Sequence, residues 1–185
     1  RQLQQKIGVT SIYVTHDQEE AMVMSDRVAV MKDGLIVEIG APQDIYLTPK
    51  MLFTAQFVGQ SNLMDVRISS TNGLTAKVRT LIGEVTIKSL EQSKIKEGKL
   101  LIRPEHVPMA WNKEDLPNSD FNVFEGTIIS QTFTGKLVDY TIKVGDQLME
   151  IQMPLHNTHR NESNVFIYLP PERCVMLSSD EMEAH

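Results

Sequence analysis

Ile102-Arg103-Pro104-Glu105-His106-Val107-Pro108-Met109 returns later in the chain as Leu169-Pro170-Pro171-Glu172-Arg173-Cys174-Val175-Met176. Each copy ends an apolar run, turns at Pro-Glu and resumes as a second apolar run. Proline lacks the amide hydrogen that a central ladder needs, so both prolines belong at a strand end or a bend. The recurrence reads as an internal repeat, and the Pro-Glu pairs read as structural corners rather than as ligand-binding carboxylates.

Working outward, strand-like runs separated by turn residues fill the chain after Asn62. They are Leu63–Ile68, Leu74–Arg79, Glu84–Ile87 and Lys99–Arg103 in the first half, then Val123–Thr132, Leu137–Val144, Leu148–Met153, Val165–Leu169 and Cys174–Leu177 in the second. Asn72-Gly73 and Gly145-Asp146 read as hairpin turns. Many short strands with regular turn signals predict a small barrel or sandwich. Trp111 to Phe121 is polar and irregular and reads as the loop joining the halves.

The first sixty residues have another character. Gln2–Ile7 reads as a helix stopped by Gly8. Thr10–Thr15 is short, β-branched and aromatic, and reads as a buried strand. Asp17 then caps a helix to Met24, with Glu20 placed for a capping-box-like pairing. Asp33-Gly34 between two apolar runs is a hairpin signal. Pro42 opens a short helix through Leu47, Pro49 stops it, and Met51–Val58 forms another. Gly59-Gln60-Ser61-Asn62 reads as a linker.

The chain has 185 residues, 41% hydrophobic and 23% charged, with a net charge of -6. That describes an ordinary globular protein and argues against a nucleic-acid binder, which would carry a basic patch. No apolar run is long enough to cross a bilayer as a helix. The single cysteine, Cys174, excludes an internal disulfide and reads as a small buried hydrophobe. The polar start without a Met reads as the interior of a longer chain.

The ordered set Thr15-His16-Asp17-Gln18-Glu19-Glu20-Ala21, Ser25-Asp26-Arg27-Val28-Ala29-Val30-Met31, Asp33-Gly34, Gly40-Ala41-Pro42, Ile45-Tyr46, Pro49 and Phe57-Val58-Gly59 resembles the end of the ATPase domain of ABC importers. The two Pro-Glu segments resemble the C-terminal accessory domain of the same importers, an OB-like β-barrel with a duplicated half called TOBE. The resemblance implies an α/β remnant of the ATPase domain over residues 1–60, followed by an all-β TOBE barrel over 61–185. It implies a cytoplasmic subunit on the inner face of the membrane, paired with a second copy and with membrane permease subunits. It also implies ATP and Mg²⁺ as cofactors of the intact subunit.

By the same resemblance His16 is the switch residue that contacts the γ-phosphate and helps orient the attacking water. Imidazole suits such a place, since phosphoryl transfer needs donors around the equatorial oxygens. Asp17 reads as cap and support, and Gln18 as a surface or capping residue. Glu19 and Glu20 read as a solvated helix face. The sequence has no G-x-x-x-x-G-K-[ST] phosphate loop, no Gly-rich signature segment and no Walker B carboxylates. The expectation is that these 185 residues alone neither bind nor hydrolyse ATP and hold no metal.

Phe133-Thr134-Gly135 resembles the corresponding hairpin of polyamine and iron importers more than that of sugar importers. An alternative reading makes the barrel a small-molecule or oxyanion binding module. Its candidate segment is Ser130, Thr132, Thr134, Gly135 and Lys136. His156 and His159 stand at a spacing two imidazoles could use, but the segment has no third ligand and reads as an exposed loop. Lys94–Lys99 reads as a charged turn.

Overall fold

The computed structural model describes residues 2–88, 96–118, 120–155 and 163–178. The chain divides into two units, residues 1–59 and 60–180.

The first unit carries α1 (Gln2–Ile7), α2 (Gln18–Met24), β1 (Val28–Lys32), β2 (Leu35–Gly40), α3 (Pro42–Leu47) and α4 (Leu52–Phe57). Gly8 ends α1 at positive φ, where its amide donates to the Gln4 carbonyl. Asp33 and Gly34 both take positive φ, at 53° and 81°, and form the two-residue turn between β1 and β2. Such a turn matches the twist of the flanking strands. Glu38 on β2 caps the start of α4, accepting from the amides of Lys50 and Met51. Val30, Ile45 and Val58 form a small core, with Met22, Tyr46 and Phe53 packed against it.

Thr10–Thr15 does not form the expected strand. The segment makes no ladder among the described residues, and Ile12 and Val14 are 94% and 90% exposed. A strand needs a neighbour for its amides and carbonyls. The first unit's two described strands pair with each other.

The second unit is all β and duplicated. Its first half contains β3 (Asn62–Asn72), β4 (Thr75–Thr80), β5 (Gly83–Lys88), β6 (Glu97–Ile102) and β7 (Met109–Ala110). Its second half contains β8 (Val123–Phe133), β9 (Leu137–Val144), β10 (Gln147–Pro154), β11 (Asn164–Tyr168) and β12 (Val175–Ser178). Two five-stranded sheets result, ordered β12-β6-β3-β4-β5 and β10-β9-β8-β11-β7. The last strand of each half is thus exchanged. Met176 of β12 pairs with Leu100 of β6, and Met109 of β7 pairs with Ile167 of β11. The register repeats in detail, down to a bulge between Ile68 and Ser70 on β3 and another between Ile128 and Ser130 on β8.

Alternation along the strands puts one face of each sheet inward. Met64, Val78, Ile87 and Leu100 from one sheet meet Tyr140, Ile142, Met149 and Ile167 from the other in one core. The Pro-Glu segments form 3-10 turns at Pro104–His106 and Pro171–Arg173, each closing the strand before it. The small barrel or sandwich expected of these strands is thus built from two sheets locked by strand exchange. The loop expected over Trp111–Phe121 contains one 3-10 turn, Lys113–Asp115.

Candidate functional site

His16 lies in an exposed bend one residue before the N-cap of α2. Its surroundings are built from neighbours in sequence. The Asp17 Oδ1 accepts from the amides of Glu19 and Glu20, at 2.9 and 3.1 Å. The capping box is completed in an unexpected way, because the Asp17 amide donates to Thr15 Oγ1 at 2.9 Å. That hydroxyl in turn donates to the Glu20 carboxylate at 3.0 Å, and the Tyr13 hydroxyl donates to the same oxygen at 3.1 Å. The neighbouring carboxylate raises the Tyr13 phenol above its ordinary range through that hydrogen bond. Glu20 is thus a fixed anchor on the helix face, and His16 sits between two pinned residues.

Gln18 does more than the surface or capping role expected of it. Its Nε2 donates to the Phe57 carbonyl at 2.5 Å and its Oε1 accepts from the Gly59 amide at 3.0 Å. One side-chain amide thereby pairs with the backbone on both sides of Val58, where α4 ends. Only the wide sequence separation hid this contact.

In the second unit, Ser130 and Thr132 lie on the far end of β8, and Thr134, Gly135 and Lys136 form the hairpin leading to β9. All five are exposed. Both the amide and the hydroxyl of Thr134 donate to the Leu137 carbonyl, at 3.0 and 3.1 Å, so this residue closes the hairpin. The side chains of the segment are solvated. His156 and His159 fall outside the described residues, as does the start of the Lys94–Lys99 cluster.

Three polar residues inside the second unit escaped the sequence reading. Asn62 and Asn122 each pair with a backbone segment of the other half. Arg103 is 2% exposed and donates to the Gln60 carbonyl at 2.9 Å. The thiol of Cys174 is buried, and that burial pushes its pKa up to about 12. A thiol so raised is inert toward metals and electrophiles at neutral pH.

Among the described residues, no three His, Cys, Asp or Glu side chains come together to hold a metal ion. The sequence contains no G-x-x-x-x-G-K-[ST] phosphate loop. Among the described residues, no helix is long and apolar enough to cross a membrane.

Comparison with known proteins gives these features a context. Residues 100–177 match the TOBE domain. The chain is 34% identical over 186 residues to the spermidine/putrescine import ATP-binding protein PotA of Trichodesmium erythraeum, covering 95% of this chain and 48% of that protein. It is 42% identical over 127 residues to PotA of Mesorhizobium japonicum, covering 66% and 34% of the two chains. It is 36% identical over 145 residues to the Fe(3+) ions import ATP-binding protein FbpC 1 of Rhizobium meliloti, covering 77% and 38%. The chain spans about half the length of the curated relatives it matches, or less. In fold it is similar to the cytoplasmic molybdate-binding protein ModG, with a TM-score of 0.52 at 12% identity, covering 61% of this chain and 92% of that one. Residues 100–177 match the TOBE domain, and over most of its length the chain matches the C-terminal region of ABC-importer ATP-binding subunits.

Proposed function

We propose that this chain works as the C-terminal part of the ATP-hydrolysing subunit of an ABC import system, with a polyamine or ferric ion as the class of cargo. The match to PotA over 95% of the chain carries this reading. In that setting the subunit is cytoplasmic, docks on membrane permease subunits and pairs with a second copy, and the β unit serves that pairing and its regulation. The exposed Ile12 and Val14 suit a strand that finds its partners in the remainder of an ATPase domain.

His16 then faces the γ-phosphate of ATP bound elsewhere in the intact subunit. The Thr15, Asp17 and Glu20 hydrogen bonds support this by fixing the backbone on both sides of the imidazole. Gln18 ties the same segment to the end of α4. No step of the hydrolysis is carried by these 185 residues alone.

The test is a full-length subunit carrying His16→Ala. ATP should still bind while turnover falls by roughly a hundredfold or more, as when one stabilising donor is removed from a transition state. Full turnover in that variant would refute the assignment. The 185-residue chain alone should show no nucleotide-dependent turnover. The competing reading, an oxyanion or small-molecule site at Ser130–Lys136, gains nothing from a hairpin whose Thr134 spends its hydroxyl on its own turn.

A further inference from the structure

The bend that carries His16 is shaped by its own neighbours. The Tyr13 and Thr15 hydroxyls donate to Glu20, the Asp17 amide donates to Thr15, and the amides of Glu19 and Glu20 donate back to Asp17. Every one of these bonds closes within residues 13–20. They give the bend its form but do not fix where it stands in the first unit. The helix that follows, α2, has seven residues and no fully buried side chain, and Met22 is only partly covered by the small core. A helix this short draws its stability from what it packs against rather than from itself.

Gln18 makes the long-range tie. Its carboxamide reaches 39 and 41 positions along the chain, donating to the Phe57 carbonyl and accepting from the Gly59 amide. Those two groups flank a single residue, Val58, and a carboxamide presents the required donor and acceptor side by side.

The backbone that Gln18 grips is itself anchored. Val58 is buried with Val30 and Ile45, and its amide donates to the Thr54 carbonyl at 2.9 Å. Gly59 holds a φ of 73°, and a Cβ there would stand 2.8 Å from Cε2 of Tyr46. The bare glycine lets the Tyr46 ring close on this backbone. All of these residues belong to the first unit. Asp17 alone separates Gln18 from His16, so a hold on Gln18 is a hold on the start of α2 and on the bend before it.

We propose that Gln18 is the positioning residue for His16, its carboxamide seating the bend on Phe57 and Gly59 so that the imidazole keeps one place in the unit. This rests on the γ-phosphate role given to His16 above, and Gln18 itself touches no nucleotide. The grip is selective in chemistry. A glutamate at this position would still accept from the Gly59 amide but would set a carboxylate against the Phe57 carbonyl, and only its protonated form would restore the donor.

ATP hydrolysis by the full-length subunit, in steady state and in single turnover, tests it. Gln18→Ala should lower kcat by roughly ten- to hundredfold, the effect of a misplaced group, with KM for ATP changed by less than about threefold. In a His16→Ala background the same substitution should cost nothing further, because Gln18 acts only through the imidazole. Gln18→Glu should be as slow as Gln18→Ala at neutral pH and should regain activity relative to wild type as pH falls and its carboxyl protonates. Glu19→Ala, the next residue of α2, should stay within about twofold of wild type. Wild-type kcat in Gln18→Ala would overturn the positioning role and leave that of His16 standing. So would an equal further loss in the His16→Ala background, which marks a purely structural residue. Should Gln18→Ala fail to fold, Gln18→Glu decides by itself, and a pH profile parallel to wild type would overturn the proposal. Full turnover in His16→Ala alone would instead remove the role of His16, and the proposal with it.

Discussion

Asn62 and Asn122 hold the same post in the two halves of the β unit, each acting as a one-residue strand against the outermost strand of the other half. The Asn62 side chain donates to the Glu150 carbonyl and accepts from the Glu150 amide, both at 2.7 Å. The Asn122 side chain donates to the Thr86 carbonyl at 2.6 Å and accepts from the Thr86 amide at 2.7 Å. A carboxamide has the donor and acceptor of a peptide group side by side, so it continues a ladder where the main chain turns away. The two sheets are closed against each other by this reciprocal pair as well as by exchange of β7 and β12.

Removing these amides should cost stability out of proportion to their size. Asn62→Ala takes the side-chain partner from the part-buried amide and carbonyl of Glu150 and should lower unfolding free energy by about 1–3 kcal/mol. Asn122→Ala should cost more, because Asn122 also donates to the Leu169 carbonyl and holds a positive φ of 54°. Urea unfolding followed by fluorescence of Trp111 measures both. Equal, negligible losses would show that the pairs do not close the unit.

Packing at Gly126 offers a sterically distinct check. A Cβ there would lie 2.6 Å from Ile142 Cγ2 and 3.1 Å from the Lys143 carbonyl. The nearest obstacles are a buried branched side chain and backbone, neither of which can step aside cheaply. Gly126→Ala should therefore destabilise the unit by about 1–3 kcal/mol, the usual cost of overpacking. Gly73→Ala meets no atom within 4 Å, and its penalty should come from its φ of 57° alone. A Gly126→Ala protein as stable as wild type would mean that β8 and β9 can separate locally without cost.

Much of this architecture was legible in the sequence because its signals are local. Asp33-Gly34 and Gly145-Asp146 are the two-residue turns they signal, whereas the Asn72-Gly73 signal falls one residue early, the turn being Gly73-Leu74 between the paired Asn72 and Thr75. The repeated Pro-Glu segments show as matching 3-10 turns because proline can open such a turn but not continue a central strand. What escaped depends on distant partners. The strand read after the first Pro-Glu corner is the two-residue β7 beside Pro108, and what could not be read is its partner, β11 of the other half. Thr10–Thr15 read as a strand from composition, yet composition supplies no neighbour. Gln18, Asn62 and Asn122 looked like ordinary polar residues because their partners lie far along the chain. The string around His16 gave only the expectation of a role, and its place in an exposed bend was not legible.

The Cys174 thiol gives a kinetic test of the core. Burial raises it from 9.0 to about 12, with the charge of Glu172 adding to the effect. The thiolate fraction at neutral pH is then lower by roughly three orders of magnitude, and the sulfur is covered as well. Reaction with a thiol reagent should run only as fast as the unit opens. It should reach the rate of a free thiol in denaturant. Rapid stoichiometric labelling of the native protein would show the strand after Pro171–Arg173 to be open in solution.

His106 makes the acid limb of stability predictable in sign. Burial holds its imidazole below the ordinary 6.5; Glu105 opposes this, while Arg173 and Arg103 reinforce it. The folded chain therefore binds the proton less readily than the unfolded chain, and unfolding takes up a proton in the window between the two values. The stabilising contribution of the neutral ring is whole above 6.5 and is lost as pH falls through the depressed folded value. A His106→Gln variant is neutral throughout, so its melting temperature should fall less than that of wild type as pH is lowered from neutral through this window. At neutral pH and above, the gap between the two proteins should stay constant, since neither carries a charge at that position. Thermal unfolding across this range decides the matter: parallel curves for variant and wild type would assign the acid sensitivity to other groups, whereas convergence toward low pH places it on His106.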